Sequence, residues 1–139
     1  MTRQIFVNLA VKDVEKSMQF YSAIGFKNNP AFSDESAKCM VWSDSIYVMI
    51  MTNETFAGFA TTPIADTKSK LAALYSLSLQ SVEEIHQVME QGLKAGGIEP
   101  AEMKDYGFMQ QRTLEDFDGH TWELFFMDMS KFPAEQTQS

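Results

Sequence analysis

The sequence predicts a single α+β domain built from two copies of one strand–helix–strands unit, and three observations support this. The chain has 139 residues, 45% of them hydrophobic, which suits one packed core and is short for two ordinary domains. Apolar residues alternate in some segments and recur with helical spacing in others. The same order of segments, a strand, a helix and then further strands, occurs twice along the chain.

The first half begins with a strand over Ile5–Val11, where apolar and β-branched residues are concentrated. Asp13 is a candidate N-cap, because its carboxylate can accept hydrogen bonds from the free N–H groups of the following turn. Apolar residues with helical spacing follow, and Gly25 ends the predicted helix. Extended segments are then predicted to begin at residues 26, 38 and 46.

The second half follows a polar connection, which is predicted to be a loop over residues 53–70. Ser81 and Glu84 form a capping box, which predicts a helix that ends at Gly96. Strands are predicted over residues 74–79, 108–114 and 121–127. The last two strands flank a turn at 116–119, and His120 is expected on the outer face of this hairpin.

An internal repeat relates the two halves. Leu9 and Val14 correspond to Leu77 and Val82, a constant offset of 68 residues (77 − 9). Each helix can cover only one face of its sheet, so the other face must be covered by the twin unit or by a partner chain. We therefore predict one domain over residues 1–130, with half-modules at about 3–56 and 72–129, and a flexible tail at 131–139.

The composition indicates which binding partners and which cellular compartment to expect. The chain carries 11 basic and 19 acidic residues, a net charge of −8, which disfavours binding to nucleic acid or to a membrane surface. Its one cysteine, Cys39, cannot form an internal disulfide, so a reducing, cytoplasmic location is expected. Ten methionines are unusually many for a chain of this length.

The sequence resembles the glyoxalase/bleomycin-resistance/extradiol-dioxygenase superfamily, also called vicinal oxygen chelate proteins. The resemblance rests on Phe6–Asp13, on Phe20-Tyr21 before Gly25, and above all on Glu115–Leu124, where a Glu-Asp-x-Asp-Gly turn precedes a Glu-Leu strand. It is strongest for the branch of predicted lactoylglutathione lyases. The resemblance implies two βαβββ modules that form an eight-stranded cup, and a homodimer. Pairing of the modules within the chain or by swapping between chains stays open.

The resemblance also implies where a metal would bind. In metal-dependent members the ligands come from the first strand and from a late strand of each module, which places them here at Phe6, Leu74, Met49 and Glu123. Three of these four side chains are poor ligands for Zn²⁺, Ni²⁺ or Mn²⁺. We therefore expect no standard metal site and no cofactor, although a divalent metal is the cofactor that this superfamily implies.

Glu123 is the candidate catalytic residue. Strand alternation places it on one face with Thr121 and Phe125, inside the cup. If the turn at 116–119 has four residues, Arg112 lies opposite Glu123 and pairs with it or holds a ligand anion. Asn8 shares the inward face of Phe6. The candidate ligand-binding residues are Phe6, Asn8, Met49, Leu74, Arg112 and Phe125.

Three functions follow from these residues. The leading hypothesis is a lactoylglutathione lyase-like protein that binds a small organic molecule in the cup without the standard metal. The alternative is a lyase or isomerase with Glu123 as acid/base and Arg112 as anion anchor. In the third, the cup binds no ligand and is filled by its own side chains, so whether the protein is an enzyme stays open.

Overall fold

Two modules with the same order of elements make up the fold. The computed structural model describes residues 2–131, so the predicted tail lies, apart from Lys131, outside the described residues. The first module contains β1 (Ile5–Val11), α1 (Val14–Ala23), β2 (Lys27–Asn29), β3 (Ala37–Val41) and β4 (Ile46–Thr52). The second module contains β5 (Leu74–Ser78), α3 (Val82–Lys94), β6 (Lys104–Asp105), β7 (Met109–Glu115) and β8 (Thr121–Met127). A short helix, α2 (Asn53–Phe59), lies between them.

Each module folds its strands into one four-stranded mixed sheet. The order is β1-β4-β3-β2 in the first sheet and β5-β8-β7-β6 in the second. The first strand of each module runs parallel to the last, and the other pairs are antiparallel. This βαβββ topology, repeated once, confirms the α+β fold class that the sequence predicted.

The two long helices begin where the sequence predicted. The carboxylate of Asp13 accepts a hydrogen bond from the backbone N–H of Lys16 at 3.1 Å, and the hydroxyl of Ser81 accepts one from Glu84 N–H at 3.1 Å. In a standard capping box the carboxylate of Glu84 would accept from the N–H of Ser81. Here it accepts instead from the N–H of the preceding residue, Gln80, at 2.7 Å. These bonds satisfy N–H groups that the helices themselves leave free.

One hydrophobic core serves both modules. The sheet of the first module packs one face against α1, and the sheet of the second module packs one face against α3. The two helices also contact each other. The buried residues include Phe20 and Tyr21 of α1, Ile85 and Met89 of α3, Val48 and Ile50 of β4, and Trp122 and Leu124 of β8. Because both helices lie on this shared side, neither of them covers the opposite face of its sheet, which is called the open face below.

A buried polar cluster joins the modules. The hydroxyl of Tyr21 donates to the carboxylate of Asp116 at 2.5 Å and accepts from the indole N–H of Trp122 at 3.0 Å. His120 is buried, with its Nε2 2.8 Å from the carbonyl oxygen of Ala10 in the other module. The prediction that His120 lies on the outer face was therefore wrong, because the hairpin packs against β1.

Two short elements fall where no helix or strand was predicted. α2 occupies the start of the predicted 53–70 loop, and its first turn is capped by Thr52, whose hydroxyl accepts from Thr55 N–H at 3.1 Å. The two-residue β6 pairs with Gln110 and Gln111 of β7. None of the helices in residues 2–131 is long and apolar enough to cross a membrane.

Candidate functional site

The open face of the first sheet carries three of the predicted ligand residues. In β1 and β4, Leu9, Val11, Val48 and Ile50 face the core, so the alternate residues face outward. Asn8 lies directly opposite Met49, and Phe6 lies opposite Tyr47. The rings of Phe6 and Tyr47 stack with 4.4 Å between their centroids. Phe6, Asn8 and Met49 therefore share one face, as the sequence predicted.

The open face of the second sheet carries Glu123. Ser76 lies opposite Glu123, and Leu74 lies opposite Thr121. Trp122 and Leu124 are buried in the core, so Glu123 and Phe125 point to the other side. Glu123 in β8 and Met49 in β4 occupy equivalent positions. Glu123 lies opposite Ser76 and Met49 lies opposite Asn8, and these two partners correspond in the repeat (76 − 8 = 68).

Both carboxylate oxygens of Glu123 are held by neutral donors from its own sheet. Oε1 accepts from the hydroxyl of Ser76 at 3.2 Å, and Oε2 accepts from the side-chain amide of Gln111 at 2.8 Å. The predicted pairing with Arg112 is wrong. Glu115 of β7 lies opposite Thr121 of β8, so the β7–β8 loop has five residues, 116–120, rather than four. One extra residue moves every side chain of the strand to the other face.

Arg112 lies on the helix side of the sheet, where it has its own partners. Its guanidinium donates to both carboxylate oxygens of Glu99, at 2.7 and 2.8 Å, and its Nη1 is 2.9 Å from Nδ1 of His86. The hydrogen bonds from Arg112 lower the pKa of Glu99, and those to Glu99 raise the pKa of Arg112. Arg112 is thus engaged away from the open face, and its predicted role as an anion anchor beside Glu123 was wrong.

A cavity of about 700 Å³ lies between the open face of the first sheet and α2. Asn8, Met49 and Met51 form its floor, and Phe56 and Phe59 of α2 line the opposite side. Its size falls in the range of small-molecule sites, about 300–1,000 Å³. Asn8 and Met49 were predicted here, whereas Met51, Phe56 and Phe59 were not.

Asp34 supplies the charge at the rim of this cavity. It lies on the exposed connection before β3. Its Oδ1 accepts from the Ser36 N–H at 2.8 Å, from the Ser36 hydroxyl at 2.9 Å and from the Ala37 N–H at 3.0 Å. These hydrogen bonds lower the pKa of Asp34, so it presents a negative charge at neutral pH.

A smaller cavity of about 230 Å³ borders the C-terminal end of α2, where Phe56 and Ala60 line it. It is bounded by Ala10 of β1, Tyr75 of β5, and the connection between α2 and β5 over residues 60–73. The hydroxyl of Thr67 in that connection donates to the carbonyl of Asp118, which ties it to the β7–β8 hairpin.

Known proteins share both part of the sequence and the whole fold. A family model described as bleomycin resistance protein-like N-terminal matches residues 3–43. A hypothetical protein from S. aureus is 25% identical, with a TM-score of 0.76 over 91% of this chain and 94% of that one. The fold of the chain is the one found in glyoxalase/bleomycin-resistance/dioxygenase proteins.

Proteins from other bacteria have the same fold at lower identity. A glyoxalase/bleomycin resistance protein/dioxygenase family enzyme from Burkholderia phytofirmans is 15% identical, with a TM-score of 0.73 over 88% of this chain and 96% of that one. A fosfomycin resistance protein from Listeria monocytogenes is 18% identical, with a TM-score of 0.67 over 94% of this chain and 98% of that one. No curated protein matches the sequence significantly.

The residues at the superfamily's metal positions do not fit a divalent cation. Phe6 and Leu74 offer no donor atom, and Met49 offers a thioether, which suits soft metals rather than Zn²⁺ or Mn²⁺. Glu123 is the one carboxylate among the four positions, and both its oxygens already accept hydrogen bonds. Within residues 2–131, no three His, Cys, Asp or Glu side chains are grouped as a metal site requires.

Sequence reasoning missed the helix that lines the cavity. The signal was present at Thr52 and Thr55, whose spacing allows the first hydroxyl to cap the next turn, and in the acidic Glu54 of that turn. The Thr/Pro content of the following residues masked it. Phe56 and Phe59 therefore counted as loop residues, although both line the cavity.

Proposed function

We propose that the protein binds a small, largely apolar organic molecule in the cavity beneath α2, without a metal in the standard position. The observation that carries this proposal is the cavity itself, because Met49 stands where a metal ligand would be and forms part of the cavity floor. Methionine is flexible and polarisable, so it can adapt to guests of different shape. An open cavity of about 700 Å³ also argues against a cup filled by its own side chains.

Binding of a neutral fluorescent probe tests this proposal. N-phenyl-1-naphthylamine should bind the wild type with enhanced fluorescence, and Met49→Lys should weaken binding by at least about tenfold, because the ammonium would be desolvated in the cavity. Met103→Lys is the matched control, since Met103 is 37% exposed and lies outside this cavity. Equal affinity in the wild type and in folded Met49→Lys would refute the proposal.

Metal analysis tests the second half of the proposal. Protein purified without chelator should contain less than one equivalent of tightly bound transition metal. A stoichiometric metal that disappears in Glu123→Ala would show that Glu123 belongs to a metal site and would overturn the proposal.

A lactoylglutathione lyase-like activity is the second candidate, and the geometry of Glu123 favours it. Two neutral hydrogen bonds fix this carboxylate on an open face, where it could accept or donate a proton at a bound substrate. The test is turnover of the methylglyoxal–glutathione hemithioacetal, with and without added Ni²⁺ or Zn²⁺. Turnover that Glu123→Gln abolishes would support it, and no turnover under either condition would remove it.

Exposed apolar residues support a homodimer. Ile5, Phe6 and Leu74 are 57%, 48% and 53% exposed, and Phe6 and Leu74 lie on the open faces of the two sheets. A second copy that covers these faces would remove this apolar surface from water. Light scattering should give a dimer mass for the wild type and a monomer mass for the double variant Phe6→Lys/Leu74→Lys.

We also propose that the protein works in the cytoplasm. Cys39 is buried, and burial raises the pKa of its thiol, so the chain carries a protected thiol rather than a disulfide. Fractionation of cells that express the tagged protein should recover it with cytoplasmic markers.

A further inference from the structure

The two cavities beside α2 share part of their walls. Asn8, Phe56 and Ala60 line both the larger and the smaller cavity. Asn8 belongs to the floor that β1 provides, and Ala60 lies just after the end of α2. The bulky group at the boundary is therefore the ring of Phe56, which is half-buried. Without this ring, the two spaces would be continuous over β1.

Phe56, which separates the two cavities, belongs to a helix that can move. α2 has seven residues and no buried residue, so little packing energy holds it in place. Its glycine, Gly58, has no neighbour within 4 Å of the position where a Cβ would stand. Rotation of the Phe56 side chain or a small shift of α2 would open the boundary at low cost.

The walls indicate what kind of molecule would span both spaces. Besides the methionines and phenylalanines of the larger cavity, the smaller one is lined by Pro63, Ile64 and Leu71. The lysine and aspartate that line the cavities, Lys70 and Asp34, are both exposed and lie in different cavities. Charges at exposed rims contribute little to binding, so apolar contact dominates.

We propose that the two cavities are the ends of one elongated site for an apolar organic molecule, and that Phe56 sets the length of the ligand that the site admits. The inference rests on the proposed binding function and extends it to the shape of the ligand. Phe56 acts here as a specificity-determining residue.

Two neutral probes of different length test this inference. N-phenyl-1-naphthylamine is compact, and 1,6-diphenyl-1,3,5-hexatriene is a longer rod. Phe56→Ala should raise the affinity for the rod relative to the compact probe by about tenfold, which corresponds to burial of one additional ring edge. Phe59→Ala is the matched control on the same helix, since Phe59 is 78% exposed and lines the larger cavity alone. Its affinity ratio should stay within about twofold of the wild type.

The possible outcomes separate this inference from the proposed function. Two outcomes would contradict this inference alone, provided that the compact probe binds. In the first, Phe56→Ala leaves the affinity ratio unchanged; in the second, Phe59→Ala changes the ratio as much as Phe56→Ala does. Either would show that Phe56 does not separate the two cavities. If neither probe binds folded wild type or variants, the binding function falls with it. Circular dichroism confirms folding, and if Phe56→Ala does not fold, Phe56→Leu is used, for which a smaller rise in the same ratio is required.

Discussion

Tyr21 shows how much a single hydroxyl can contribute at the junction of the modules. Burial, followed by the nearby carboxylate of Asp116, raises the pKa of Tyr21 well above its ordinary value, so the phenol keeps the proton it donates. Burial also raises the pKa of Asp116, although its hydrogen bonds act in the opposite direction. The cluster is stable because each buried polar group in it has a partner.

Removal of this hydroxyl should therefore be costly. Tyr21→Phe leaves one Asp116 oxygen and the indole N–H of Trp122 without partners in a buried site. We expect a loss of about 2–6 kcal/mol in the free energy of unfolding, at about 1–3 kcal/mol for each of the two unsatisfied groups. Urea denaturation measures it. Tyr47→Phe is the control, because the hydroxyl of Tyr47 makes solvent-exposed hydrogen bonds, and similar losses in both variants would contradict the argument.

The ion pair between Arg112 and Glu99 predicts a pH dependence. The pKa of Glu99 is lowered from its ordinary value of 4.5 by the hydrogen bonds from Arg112, so the folded state binds its proton less readily than the unfolded state. Its contribution to stability is present above pH 4.5 and is lost as the pH falls through the lowered pKa. Wild type should therefore lose more stability than Glu99→Gln between pH 5 and about pH 3, as measured by urea midpoints. Parallel pH profiles would contradict this assignment.

At the scale of elements, the sequence predicted periodic segments better than connections. β1 and β8 have the predicted bounds, because alternation and burial reinforce each other there. The predicted register of the β7–β8 hairpin was wrong by one residue, since a loop of four residues and a loop of five both suit this turn sequence. The pairing of Glu115 with Thr121 shows that the loop has five. That single residue moved Arg112 away from the candidate site. α2 was missed because its seven residues carry a cap but too few turns to show periodicity.

Two helical glycines make the packing of the elements testable. At Gly92 in α3, an added Cβ would lie 2.5 Å from Leu114 Cδ2 and 3.2 Å from Ile24 Cγ2, so α3 depends on a close approach to β7 and α1. Gly92→Ala should lower the free energy of unfolding by about 1–3 kcal/mol, despite the higher helix propensity of alanine. Gly58→Ala in α2 meets no neighbour and should raise it by up to about 1 kcal/mol. Thermal denaturation measures whether Gly92→Ala lowers the stability and Gly58→Ala raises it. Stabilisation by Gly92→Ala would refute the packing argument.

The whole molecule is held together by packing between its repeats. Phe20 of α1 packs edge-on against Phe117 of the other module, with 5.4 Å between their centroids, and Tyr21 lies 5.8 Å from Trp122. A repeated sequence predicts two equal units but does not show that their helix sides share one core. Met49 and Glu123 lie on the open faces, outside this core, so the residues at these two positions can change without disturbing it.

A shared core also predicts that neither module is stable alone. If the chain is divided in the connection, between Ala60 and Thr61, each fragment exposes the core side of its sheet and helix to water. We expect fragments 1–60 and 61–139 to show little near-ultraviolet circular dichroism and no cooperative thermal transition, whereas the intact chain should unfold in one transition. Mixing the fragments should restore part of the signal, because the lost contacts lie between them. A fragment that unfolds cooperatively by itself would show that the modules are independent units. It would also show that the buried polar cluster of Tyr21, Asp116 and Trp122 is dispensable for folding.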